Sequence, residues 1–116
     1  MTHKELEDYL LAMPNTWLDF PFGEGTSVYK VGDKATNDGK MFAIIADNAK
    51  PLNISLKCDP QLAIVLREKY ESIQGGHHLN KKHWNTILLT GQVGDDEIKD
   101  LATLSYRLVT EKSVTL

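Results

Sequence analysis

The chain has 116 residues, 41% of them hydrophobic and 25% charged, with a formal net charge of -3 at pH 7. This length and composition predict one globular domain over residues 1–116. No run of about 18 apolar residues could span a bilayer, and the first residues lack the apolar core of a signal peptide, so we expect a cytoplasmic protein. Because the net charge is negative, any site for a polyanion must be a local patch.

The first predicted element is a short amphipathic helix. Thr2 and Glu5 have the spacing of a capping box, and apolar residues repeat at the helical period as far as Pro14. The aromatic segment 17–22 follows, and we expect it to be a connector that seals one edge of the core. The alternative is an exposed aromatic surface for a protein partner.

Three strands are predicted in the middle of the chain. Residues 26–31 and 41–46 are rich in β-branched and aromatic residues and are separated by two turn signals, which predicts a long hairpin. Apolar and polar residues alternate over 52–57, which indicates a third antiparallel strand. Its even-numbered residues are expected to face the core and its odd-numbered residues to face outward.

The second half of the chain predicts a helix, a loop, a strand and a helix. Asp59 and Pro60 suit the cap and the first position of a helix that stops before Gly75, and a strand follows over 84–90. Asp95 is expected to cap the last helix. This order predicts an α+β sandwich of two layers, in which helices pack on one face of an antiparallel sheet.

The segment 77–83 is the richest in side chains able to do chemistry. It contains three histidines, Lys81 and Lys82 and no acidic residue, which is the composition of a loop that binds phosphates. Alternatively, His78 and His83 supply ligands to a transition metal, or their rings hydrogen-bond to the backbone and fix the loop, or the lysines are an ordinary solvated pair.

The sequence contains no motif of nucleophilic catalysis and no phosphate-cradling glycine loop. Its single cysteine, Cys58, excludes an internal disulfide and a redox pair of cysteines. We therefore expect a protein that is not an enzyme and has no cofactor.

Three stretches together strongly resemble the MmcQ/YjbR family of small bacterial proteins. They are HLNKKHWNT at 78–86, SLKCDP at 55–60 and the Ser105-Tyr106 pair. The resemblance covers nearly the whole chain. It implies a frataxin-like (CyaY-like) fold and a DNA-binding function in which a helix and wings contact the duplex.

The family pattern falls on fifteen positions: Lys40, Met41, Phe42, Ala43, Lys57, Cys58, His78, Asn80, Lys81, His83, Trp84, Asn85, Thr86, Ser105 and Tyr106. Three of them, Phe42, Cys58 and Trp84, have a simpler interpretation as core residues. Asn80 and Asn85 are expected to tie the loop backbone, and the Tyr106 hydroxyl to meet the same loop. The chain departs from the family at 35–38, which lengthens the hairpin, and at 75–77, where a proline and an aromatic residue are expected.

The sequence thus predicts a monomer that binds DNA weakly through seven residues: Lys40, Lys57, His78, Asn80, Lys81, Lys82 and His83. Two alternatives stay open. One is a small-ligand or metal site lined by His78, His83 and Tyr106, and the other is a protein-interaction surface at 17–22.

Overall fold

The structure is a computed structural model that describes residues 1–111, so residues 112–116 of the predicted domain lie outside it. Its elements are, in order, α1 (His3–Leu11), β1 (Thr16–Asp19), β2 (Thr26–Asp33), β3 (Asp38–Ala46), β4 (Asn53–Lys57), α2 (Pro60–Lys69), β5 (Ile73–Gly75), β6 (Trp84–Leu88) and α3 (Asp95–Thr110). The strands form one antiparallel sheet in the order β1-β2-β3-β4-β6-β5.

Two of the three helices begin where the cap residues predict. The Thr2 hydroxyl accepts a hydrogen bond from the Glu5 N–H, and the Glu5 carboxylate accepts one from the Thr2 N–H, both at 3.1 Å. Asp59 caps α2. The prediction that Asp95 caps α3 is wrong: Gly94 is the N-cap, and Asp95 is the first helical residue, where the helix dipole still favours its charge.

Both edge strands, β1 and β5, are absent from the sequence prediction. β1 lies mostly within the segment predicted as an aromatic connector, and its Trp17 packs directly over Gly39, where a β-carbon would collide with the indole ring. β5 has only three residues, too few to produce a recognisable alternation of apolar and polar side chains.

One face of the sheet, which we call the helix face, packs against all three helices. The register of β2 and β3 shifts between Tyr29 and Lys30, and the extra residue, Phe42, enters this core and meets the Tyr106 ring edge-on with centroids 5.5 Å apart. The predicted two-layer α+β arrangement is confirmed. The strands contribute these buried residues to the core: Tyr29, Val31, Ala43, Ile45, Ile54, Leu56, Ile73 and Ile87.

The opposite face, which we call the loop face, has a smaller apolar cluster. The loop between β5 and β6 folds over it and adds Leu79 to a cluster that contains Val28, Ile44 and Trp84. Ser55 points to this face, as the alternation in β4 predicts, but it is buried there, and its hydroxyl lies 2.7 Å from that of Thr86.

Candidate nucleic-acid interface

The loop of residues 76–83, which we call the basic loop, is held by backbone hydrogen bonds at both ends. The Gly76 N–H donates to the Trp84 oxygen at 2.8 Å, which closes the loop across its base. The Cys58 N–H donates to the His83 oxygen, also at 2.8 Å. The loop is therefore anchored to the end of β4 as well as to its own flanking strands.

Side chains hold the middle of the basic loop. The Asn80 Oδ1 accepts a hydrogen bond from the Lys82 N–H at 2.9 Å, so the prediction that Asn80 ties the loop backbone is confirmed. Arg67 reaches from α2 and donates to the Lys81 oxygen at 3.0 Å. The Lys81 ammonium folds back and donates to the Gly76 oxygen at 3.1 Å. These contacts tie the loop to α2 and across its own base.

The lysines predicted to contact DNA lie on different faces. Lys57 ends β4 and is paired with Trp84, so its side chain lies on the loop face. Lys82 is exposed, and its ammonium has no hydrogen bond or ion pair with any residue from 1 to 111. Lys40 is paired with Val31, a residue of the helix-face core, and therefore projects away from the basic loop.

The three histidines of the loop have different surroundings. His78 is exposed and has a φ of 57°, in the left-handed region that histidine adopts more readily than most residues. His83 is half-buried, while the His77 ring lies 3.0 Å from the Gln74 side-chain oxygen. The basic loop is held by backbone groups and by the side chains of Asn80, Arg67 and Lys81. The alternative prediction, that the rings of His78 and His83 fix the loop, is therefore wrong.

Tyr106 lies on the far side of the sheet from His78. Its hydroxyl donates to the Pro14 oxygen at 2.7 Å, rather than to the basic loop. The prediction that His78, His83 and Tyr106 line one ligand site is therefore wrong. Within the described part of the chain, no three histidine, cysteine or acidic side chains come close enough together to hold a metal ion.

The family positions with a predicted core role are buried. Phe42, Cys58 and Trp84 are each less than 10% exposed, at 0%, 7% and 8%. Burial is the main cause that raises the pKa of the Cys58 thiol to about 11, which makes it a poor nucleophile. The Asn85 amide donates to the Ala63 oxygen at 3.2 Å, so it ties α2 to the sheet rather than the basic loop.

Sequence reasoning missed a groove of about 590 Å³ on the loop face. One side is Phe22, in the connection between β1 and β2, and the other is the segment 77–79 of the basic loop. Phe22 is 58% exposed and Phe20 is 50% exposed, whereas Trp17 is buried. The aromatic run was the available signal, but only the fold separates its buried member from the exposed ones.

The electrostatics of the basic loop differ from those of the whole chain. Residues 74–90 contain no aspartate or glutamate, and the loop carries Lys81, Lys82 and three histidines. Lys57 and Arg67 flank it. No helix within residues 1–111 has the length and apolarity needed to cross a membrane. The fold and the site define a small antiparallel α+β domain with a fixed, acid-free basic loop on the open face of its sheet.

A family model described as YjbR matches residues 11–108. The chain is 31% identical over 109 residues to YbdF of Escherichia coli O157:H7, an alignment covering 94% of this chain and 84% of YbdF. It is 32% identical over 107 residues to YjbR of Escherichia coli K12, covering 92% and 86% of the two chains. The chain therefore belongs to the YjbR family.

Two solved structures share this fold. The crystal structure of Deinococcus radiodurans protein DR2400, with a domain of the type DUF419, superposes with a TM-score of 0.90 and 38% identity, covering 98% of this chain and 82% of that one. A protein from Pseudomonas syringae gives a TM-score of 0.77 with 28% identity over 94% and 99% of the two chains. Neither description names a ligand or an activity.

Proposed function

We propose that this protein is a non-enzymatic DNA-binding module that holds the phosphate backbone through the basic loop and Lys57. The observation that carries the proposal is that an acid-free loop with exposed cationic side chains is held in place by hydrogen bonds to its own residues, to Cys58 and to Arg67. A fixed loop loses little conformational entropy on binding, so more of the electrostatic attraction is retained as affinity.

The seven residues predicted from the sequence take different roles under this proposal. Lys57 and His78 provide cationic or polar groups on the loop face, and Lys82 provides an exposed ammonium next to them in the basic loop. Lys81 combines a loop contact with a positive charge, Asn80 shapes the loop, and His83 accepts the Cys58 N–H through its backbone oxygen while its half-buried ring stays available to a ligand. Lys40 is excluded because it projects from the helix face.

The DNA-binding function rests on the family resemblance together with the charge of the loop. With a net charge of -3, the protein gains no affinity from its overall field, so binding is expected to be weak and strongly dependent on salt. The frataxin-like classification of the fold, which the same resemblance implies, stays a prediction.

The test is fluorescence anisotropy of a labelled DNA duplex over a salt series. The Lys82→Ala variant removes an exposed ammonium that has no partner within residues 1–111, so it should bind more weakly without a change in melting temperature. The slope of log K against log salt should become shallower by about 0.9 for each lost phosphate contact. For a Lys81→Ala/Lys82→Ala variant, the slope should become shallower by the amount expected for about two lost phosphate contacts.

A matched control removes two exposed lysines from the β2–β3 hairpin, as Lys34→Ala/Lys40→Ala. It changes the net charge by the same amount as the loop variant but leaves the basic loop intact. If both double variants lose the same affinity, the attraction is nonspecific and the proposed interface is wrong. The absence of any binding at about 50 mM salt, where phosphate contacts are strong, would reject DNA binding itself.

A further inference from the structure

The groove on the loop face adjoins the basic loop. Phosphate contacts to the lysines would leave this groove without a ligand. Its volume of about 590 Å³ lies within the range of small-molecule sites, about 300–1,000 Å³. Ile44 and Ala46 form an apolar part of its lining, and Asn53 and Ser55 add polar groups from the neighbouring strand. None of its lining residues is acidic.

The two sides of the groove carry planar side chains that face solvent. Phe22 is 58% exposed on one side, and His77 and His78 are exposed on the other. Phe22 stands beside a second exposed ring, Phe20, and contiguous exposed apolar surface is typical of ligand and partner sites. Aromatic rings and imidazoles are the side chains on which unpaired nucleobases stack.

The polar lining suits the edge of a base. The Asn53 side chain is half-buried and makes no hydrogen bond with any other described residue, so its amide retains both donor and acceptor groups. The Ser55 hydroxyl is already engaged with Thr86, at 2.7 Å. Asn53 is therefore the residue placed to hydrogen-bond a base that has left its partner.

Positive charge continues from the groove along the same face. Lys57 follows Ser55 by two positions in β4, so the two side chains point the same way and their α-carbons lie about 7 Å apart. Within the basic loop, the chain continues from His77, beside the groove, to Lys82, and the next residue, His83, is hydrogen-bonded to Cys58, which follows Lys57. A nucleic-acid backbone lying along Lys57 and Lys82 would thus have the groove within reach of its bases.

We infer that the groove binds an unstacked nucleobase, so that the protein prefers single-stranded nucleic acid to duplex. This inference rests on the proposed phosphate binding by the basic loop and adds the form of the ligand. In a duplex the bases stay paired and stacked, and none can enter a recess between two loops. Only an unpaired strand can place its phosphates on the lysines and a base against Phe22 at the same time.

The test compares a labelled single strand with the duplex formed from it, by anisotropy at low salt. The single strand should bind more tightly. Phe22→Ala should weaken single-strand binding by about 5- to 150-fold, the effect of losing one base–aromatic stack, and leave duplex binding unchanged. Phe20→Ala is the matched control, because Phe20 is exposed on the same connection but does not line the groove. Asn53→Ala should weaken single-strand binding without loss of fold.

Equal affinity for the two forms, or equal effects of Phe22→Ala and Phe20→Ala, would overturn this inference while a Lys82-dependent duplex complex still supports phosphate binding. If neither form binds, both proposals fail. A change in the elution volume of Phe22→Ala on size-exclusion chromatography, with unchanged single-strand affinity, would indicate that a second copy of the chain covers the groove and would also overturn the inference.

Discussion

The hydroxyl of Ser105, on α3, donates a 2.5 Å hydrogen bond to the backbone oxygen of Phe42, on β3. The same hydroxyl accepts a hydrogen bond from the Lys57 N–H at 2.9 Å. Pairing between β3 and β4 ends at Ala43 and Leu56, so the serine bridges the two strands where their own ladder stops. It also ties α3 to the end of β4 that carries Lys57.

Replacing Ser105 with alanine should lower the free energy of unfolding by about 1–3 kcal/mol, because the Phe42 oxygen loses the hydroxyl donor and the Lys57 N–H loses its acceptor. Urea denaturation measures the change. Ser72→Ala is the control: Ser72 is also buried, but its hydroxyl has no hydrogen-bond partner in the described chain, so its removal should be neutral or slightly stabilising. Equal losses in the two variants would show that the bridge adds nothing.

The two adjacent glycines before the basic loop should respond differently to alanine. A β-carbon on Gly76 would lie 2.7 Å from the Trp84 β-carbon, which cannot move without shifting the strand. A β-carbon on Gly75 would meet the flexible ends of the Arg67 and Lys81 side chains instead. Gly76→Ala should therefore lower the free energy of unfolding by about 1–3 kcal/mol, and Gly75→Ala by less than about 1 kcal/mol. Thermal denaturation of both variants provides the measurement, and equal costs would contradict it.

Local chemistry made much of the fold predictable. The capping box at Thr2 and Glu5 and the Asp59-Pro60 start of α2 act through neighbours within three residues, and the structure contains both. The alternation over β4 gave the correct faces for the same reason. The basic loop could be predicted from its composition, but its conformation depends on Arg67 and Cys58, which no local pattern connects to it.

The face of Lys40 could not be predicted, because one extra residue in β3 reverses the alternation. Counting back from Ala46 by twos puts Lys40 on the loop face together with Ile44. The bulge at Phe42 shifts the register by one position and turns Lys40 to the helix face. The groove could not be predicted for a related reason. Its two sides, the connection that contains Phe22 and the basic loop, are far apart in sequence and come together only across β2, β3 and β4 of the folded sheet.

Cys58 should not react while the protein is folded. Burial raises the pKa of its thiol to about 11, so the thiolate fraction at pH 8 is lower by roughly 100-fold than that of an ordinary cysteine. Ellman's reagent should therefore label the native protein slowly and the protein in denaturant at once. Rapid labelling without denaturant would mean that the segment joining β4 to α2 opens readily.

Tyr29 should make the protein sensitive to alkaline pH. Burial, and secondly the 2.6 Å hydrogen bond that its hydroxyl donates to Glu7, raise the pKa of Tyr29 above its usual value of about 10. Because the folded pKa is raised, the folded state retains the proton that the unfolded chain releases. This stabilisation is fully present below pH of about 10 and is lost as the pH rises from there toward the folded pKa.

Urea denaturation at a series of pH values between about 8 and 11 should resolve this effect. The Tyr29→Phe variant should be less stable than the wild type at neutral pH by about 1–3 kcal/mol, because Glu7 loses its hydrogen-bond donor. Above a pH of about 10 the two proteins should converge, since only the wild type contains the ionisable hydroxyl. Parallel curves over the whole range would show that ionisation of Tyr29 is not linked to unfolding.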